Sequence, residues 1–411
     1  MKKIYKLIIL NILFLTLQGI GQPADTLALI RAFEKLHQCD DLQLLMSKTS
    51  IDGKSKNLKI AGSALLTCGY YEQALKYFIR LNETDPKQGL LESARCYALL
   101  NKEQECLSYL AKYLQLSDKK RPAEIKLDPS FSSISKTAGW ETLWKTEWYN
   151  RYEMMLADAW YEFENHHHQA SLEILENLLE KRPRMHKAYV LKAMIFACDS
   201  NFTAATGAMD KAIKNNTKEA QHYKLRGQYY YNQKKYHKAL ADFETASAYD
   251  DSDPEIILNL AEALFKTGKI DDAAEKIEIY RQFFPDDIDG LIVAAKIYLQ
   301  AGSQLKAMEM LGKAILNERY NPDLYVMRGK IFFESGAWDY AEKDYSMAMD
   351  FIPYQPDLYY MRGLCRIELK NRKGACIDFA RARRYGRIKT DEELRKYCLD
   401  CLEEVQKAAG L

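Results

Sequence analysis

Six alanines at one interval constrain this chain more than anything else in it. Ala205, Ala239, Ala273, Ala307, Ala341 and Ala375 recur every 34 residues, in the phrases AATGAMDKA, KALADFETA, DAAEKIEIY, KAMEMLGKA, YAEKDYSMA and GACIDFARA. A fixed period of this length marks stacked supersecondary units, each burying its apolar face against its neighbours. A second small column, Ala193, Gly227, Ala261, Ala295, Gly329 and Gly363, keeps the same interval. The spacing predicts two antiparallel helices per unit, with the two small faces meeting. Gly268, Gly302 and Gly336 stand where the first helix ends in a tight turn. Large residues fill the remaining space. They are Tyr189, Tyr223, Ile257, Leu291, Tyr325 and Tyr359 in the first helix, and Met209, Phe243, Ile277, Leu311, Tyr345 and Phe379 in the second. Pro285 and Pro353 stop the second helix before the next unit begins.

The rhythm starts before this array. Residues 57–86 carry a clear copy, with Ala61, Gly62, Gly69, Ala74 and Phe78 in register, and residues 87–118 a weaker one in which Cys106 replaces the alanine. Residues 121–150 break it with Arg121-Pro122, Asp128-Pro129 and a Ser-rich run, the marks of an irregular connector. Trp140, Trp144 and Trp148 then fall at i, i+4 and i+8, which predicts one aromatic helix face. Such a stripe is either a hydrophobic seam between two helical halves or a ligand platform, and a buried seam is the commoner use. A further copy spans 152–185, and six more begin near His186, Ala220, Pro254, Ile288, Pro322 and Pro356. Residues 390–409 predict a closing helix, with Thr390 and Glu393 spaced as a capping box. The expected organisation is 1–21 leader, 22–118 N-terminal helical segment, 119–151 Trp-rich connector, 152–388 main array and 389–411 C-terminal cap.

The first residues read as a secretory signal peptide. Lys2, Lys3 and Lys6 precede the apolar run Leu7–Leu17, and Gly19 and Gly21 set a cut near Gly21/Gln22. That run is short for a membrane span. The expected location is therefore exported, either periplasmic or at the cell surface. Without the three leader lysines, 56 of the 59 basic side chains remain against 57 acidic ones. This balance gives no global field toward nucleic acid, so no nucleic-acid partner is expected. Nine cysteines follow the leader. Export permits disulfides, and an odd count leaves at least one thiol outside them. Cys398 and Cys401 form a lone CxxC without a second pair to complete a zinc pattern.

The period, the small–small contact, the aromatic of the second helix and the terminal proline resemble the tetratricopeptide repeat (TPR) family. The resemblance is strongest over 186–388 and departs at Tyr280, where a small residue is expected, and at Arg366, where an aromatic or leucine is expected. It implies an all-α fold, an α-solenoid of antiparallel helix pairs coiled as a right-handed superhelix, with a C-terminal capping helix. It also implies a non-enzymatic scaffold that holds a protein or peptide partner in a groove lined by the first helices. By family register that groove includes Lys224, Gln228, Tyr231, Glu262, Phe265, Lys296, Leu299, Lys330, Phe333, Tyr360 and Leu364. Aromatic and aliphatic residues beside scattered lysines suit an extended peptide or an amphipathic helix. The carboxylate clamp of chaperone-binding members is matched only at Lys224 and Asn259, while Gln228, Asp289 and Val293 depart from it. The phrase KGACIDFARARRYG followed by KYC resembles the closing unit of exported bacterial TPR proteins, which implies a bridge from Cys376 to Cys398.

No catalytic, cofactor or metal site is expected. GxSxG, HExxH, P-loop and GxGxxG motifs are absent from the sequence. His166, His167 and His168 fall at a predicted turn, where adjacent side chains diverge. The last repeat is rich in arginine (Arg362, Arg366, Arg381, Arg383, Arg384, Arg387), either as a solvated cap or as a dock for an acidic or envelope surface. A component of an envelope-assembly machine, docking by the Trp-rich connector or by this basic repeat, is the second reading of function.

Overall fold

The computed structural model describes residues 23–398 apart from 118, 388 and 389, and of 23–25 the backbone alone. The expected leader and Cys401 lie outside the described residues. Every regular element among the described residues is helical. Compactness divides the chain into two units, one ending at Ala263 and the other beginning at Leu264.

In the first unit, helices Pro23–Lys35 and Cys39–Lys48 precede two helix pairs, Ser55–Thr67 with Tyr71–Thr84 and Pro86–Leu99 with Glu103–Leu114. The short helices Pro122–Lys126 and Ala138–Trp144 follow. Three more pairs complete it: Arg151–Glu164 with His168–Lys181, His186–Cys198 with Phe202–Asn215, and Ala220–Asn232 with Tyr236–Tyr249. Helix Pro254–Lys266 carries the division. In the second unit Ile270–Phe283 precedes the pairs Ile288–Gln300 with Gln304–Asn317, Pro322–Glu334 with Trp338–Phe351, and Pro356–Glu368 with Arg372–Arg384. Asp391–Cys398 packs on the last of these.

The six-alanine column is fully buried throughout. The first-helix glycines do more than meet it. A Cβ built on Gly227 would lie 2.6 Å from the ring of Phe243, on Gly363 2.6 Å from Phe379, and on Gly62 2.7 Å from Phe78. In each case the ring sits sixteen residues on, against bare helix backbone. Gly329 is looser, with Tyr345 at 3.1 Å. Where the first helix carries Arg before this glycine, a second link recurs. Arg226 grips Asp242 with two bonds of 2.8 and 2.6 Å, Arg328 grips Asp344 at 2.8 and 2.7 Å, and Arg362 grips Asp378 at 2.9 and 2.8 Å. All three carboxylates are buried. A bidentate guanidinium tolerates little shift between the helices it joins.

The turn between paired helices has one backbone form. Gly268, Gly302 and Gly336 have φ of 83°, 74° and 76°, as the sequence predicts. His166, Ser200, Lys234 and Lys370 occupy the same place in their repeats with φ of 61°, 56°, 59° and 61°. An L side chain is disfavoured there, so the histidine run begins at a position set by chain geometry.

Three expectations change. Tyr280, large where a small residue was expected, is accommodated by Gly290, where a Cβ would lie 2.6 Å from its ring, and its hydroxyl donates to Asp287 at 2.9 Å. Arg366 does not face outward to water: its Nη1 binds Asp378 at 2.8 Å and its Nε binds Glu342 at 2.7 Å. The tryptophan stripe does not form one helix, because Ala138–Trp144 ends first and Trp148 donates its indole N–H to the Leu143 carbonyl at 2.8 Å. Trp140 is buried beside Phe131 and, with Trp144 and Trp148, packs on the core of Leu91, Ala94, Leu110 and Leu114. The aromatics therefore extend the core of the repeat at 87–118.

Gly227→Ala should destabilise the chain by about 1–2 kcal/mol, because overpacking against Phe243 outweighs the helix propensity gained. Gly329→Ala should cost less or stabilise. Urea melts of both would check the order, and equal effects would count against the ring contact. Lys234→Gly should add about 0.5–1 kcal/mol by relieving the left-handed backbone, read as a higher melting temperature.

Candidate functional site

The first-helix faces differ sharply in what already covers them. In the repeat starting at Ala220, Lys224 is buried. Its Nζ binds Glu255 at 2.6 Å and Asp253 at 3.2 Å. Gln228 donates to the same Glu255 at 2.9 Å, and the Tyr231 hydroxyl donates to Glu262 at 2.8 Å. These expected groove residues are joined in one ladder across adjacent first helices. Glu255 is held below the usual carboxylate range: burial opposes this, and Lys224, Gln228 and Lys35 overcome it. Burial also raises the Tyr231 hydroxyl, with Glu262 adding to the effect.

The N-terminal helices reach this same end of the first unit. Arg31 on Pro23–Lys35 binds Asp250 at 2.9 Å, and Lys56 binds Asp250 at 3.1 Å and Asp251 at 2.7 Å. Nothing in the sequence spacing links residues so far apart. A disulfide from Cys39 to Cys68 ties the second of these helices to the end of Ser55–Thr67. A cleft of about 740 Å³ opens there, lined by Asp40, Leu44, Met46, Gln73 and Tyr77. It lies apart from the expected groove residues.

In the second unit the expected positions are freer. Phe265, Lys296, Leu299 and Phe333 are half-buried and Lys330 is exposed. Lys330 makes only a long contact of 3.8 Å to Glu334, and Phe333 meets the edge of Trp338 at 4.9 Å. Tyr360 and Leu364 are different: they pack beneath Asp391–Cys398, and the Tyr360 hydroxyl donates to Glu393 at 2.7 Å. That closing helix is fastened by a disulfide between Cys376 and Cys398. Much of the arginine-rich patch is already paired, since Arg362 and Arg366 share Asp378, Arg383 meets Asp391, and Arg387 meets Asp357. Among the histidines, His167 contacts Glu162 at 2.8 Å and His168 contacts Asp199 at 3.0 Å. Among the described residues no three His, Cys, Asp or Glu side chains cluster as metal ligands, and no helix is long and apolar enough to cross a membrane.

Burial opposes ionisation of Asp250, yet Arg31, Ser252 and Lys56 hold its carboxyl below the usual value of 3.8. A depressed carboxylate contributes stability above its unfolded pKa and loses it as pH falls through the lower folded value. Asp250→Asn should therefore cost about 1–3 kcal/mol near neutral pH. The gap from wild type should close as pH falls below 3.8. Urea melts at pH 7 and in this acid range would check it.

Residues 230–297 match the family model described as tetratricopeptide repeat. No curated protein matches the chain in sequence. A tetratricopeptide repeat protein from Parabacteroides merdae aligns at 17% identity over 63% of this chain and 99% of its own, with a TM-score of 0.48. PilF of Pseudomonas aeruginosa aligns at 16% identity over 49% and 92%, TM-score 0.42. YrrB, described as a TPR protein with an unusual peptide-binding site, aligns at 17% over 46% and 99%, TM-score 0.40. Residues 230–297 thus carry the tetratricopeptide repeat match, and the helix pairs on both sides of them continue its register with the same left-handed turn.

Proposed function

We propose that the chain is a protein-interaction scaffold whose partner lies along the first-helix face of the second unit, from Phe265 through Leu299 to Phe333. The observation that carries this reading is the contrast in cover. Lys224, Gln228 and Tyr231 have their polar groups satisfied by the neighbouring helix, and Tyr360 and Leu364 lie under the closing helix. Lys296, Leu299, Lys330 and Phe333 present apolar area beside cations with no such cover among the described residues. An extended peptide or an amphipathic helix with acidic positions suits that mixture. Arrays of this family typically hold partners without chemistry, and no reaction is assigned to this one.

Its workplace is proposed to be an oxidising, exported compartment, with peripheral association to the envelope through a bound partner. The leader-like first residues support this, as do the disulfides Cys39–Cys68 and Cys376–Cys398, since such bonds persist mainly outside the cytosol. Docking through the connector has less support, because Trp140 is already buried in a core.

Lys330→Glu and Phe333→Ala should each weaken partner capture about tenfold in a crosslinking pull-down from the native envelope, with helical circular dichroism unchanged; a tenfold change is about 1.4 kcal/mol. Capture that survives both substitutions would sink this placement.

A further inference from the structure

We infer that the segment Lys119–Arg121 is an internal ligand. It sits on the first-helix face of the repeat starting at Tyr152, which also accepts, in its place, an extended basic peptide from a partner. This inference concerns a different face from the one proposed above.

The segment is held as a bound peptide would be. Arg121 is extended, at φ −59° and ψ 152°. Its guanidinium lies 4.6 Å from the Trp160 ring centre and binds Glu164 at 2.9 Å. The Lys119 ammonium binds Glu153 at 2.9 Å and lies 4.9 Å from the Tyr149 ring centre. The backbone is read as well. The Lys120 N–H donates to the Tyr113 hydroxyl at 2.7 Å, the Tyr149 hydroxyl donates to the Lys120 carbonyl at 2.8 Å, and Lys187 reaches the Lys119 carbonyl at 3.5 Å. Main-chain bonds give an extended peptide its affinity, and sites for alternate side chains give its specificity.

One residue of this face, Trp160, stands at an expected groove position. Two repeats earlier, Trp160 holds the place of Gln228 and Glu153 that of Gln221. The core of this repeat does not use the segment, because Leu156, Ala159, Leu175, Leu178, Leu191 and Ile195 form a buried cluster of their own. Glu164 is 53% exposed and Arg121 18%, against 5% for Lys119 and 16% for Glu153, so exchange begins at the Arg121 end. A competitor therefore needs two cations two residues apart on an extended backbone. An aromatic face and two carboxylates would receive it. The tethered copy competes at high effective concentration and weakens any outside ligand.

The test uses the full oxidised chain and a fluorescein-labelled peptide with the sequence of residues 116–123, LSDKKRPA. Lys119→Ser/Arg121→Ser should bind it at least tenfold more tightly than wild type. Adding Glu164→Gln should reverse that gain, and a peptide with serine at both cation positions should not bind. Equal binding to wild type and the released variant overturns the inference, as does no binding to a released variant that keeps its helical signal. Arg121→Ser alone is the milder arm. If it and the double variant both unfold, the segment is a structural part and the inference falls.

Discussion

Where glycine stands in the small column of the first helix, the pair depends on one contact: an aromatic ring on the second helix, seated against first-helix backbone that carries no Cβ. Phe78 on Gly62, Phe243 on Gly227 and Phe379 on Gly363 repeat it at one sixteen-residue offset. Because the ring touches backbone, the distance between paired helices is set by ring thickness rather than by adaptable side chains. The buried alanine column then closes the rest of the seam. Once the pair is fixed, the outer faces of successive first helices come into series, and any ligand surface is a consequence of that spacing.

Charge adds discrimination to this packing. Arg226–Asp242, Arg328–Asp344 and Arg362–Asp378 are two-pronged bonds into buried carboxylates. Burial lifts the Asp242 carboxyl above its usual range in spite of Arg226. Such pairs are weak evidence for stability, since desolvation offsets the attraction. Their geometry is demanding, however, and a helix displaced along its partner would strand the charge. The same rule separates the ligand faces. Lys224 has two carboxylates close by, whereas Lys330 stands in solvent with only a distant one.

Elements governed by local periodicity were legible in advance. The alanine column, the glycine turns and the Cys376–Cys398 bridge stand where spacing or family likeness led one to expect them. Arg366 and the tryptophans were not, because the partners that settle them lie elsewhere. Asp378 and Glu342 draw Arg366 inward, and the Leu143 carbonyl engages Trp148 beyond the helix end. The Arg–Asp links do have a visible signal, with Arg226, Arg328 and Arg362 each one residue before a seam glycine and sixteen before an aspartate. The Cys39–Cys68 bond had no such signal, since one of its cysteines precedes the first clear repeat.

By itself the sequence determined the repeat. A 34-residue period of small residues admits paired helices and little else, because each small position must face another element at short range. Which faces remain open was decided only in three dimensions. Arg121 on Trp160, Arg31 on Asp250 and Tyr360 on Glu393 join residues that share no period. A periodic pattern specifies contacts between like positions. The irregular segments that return to cover some of those positions are placed by long-range packing and charge, which leave no interval to read.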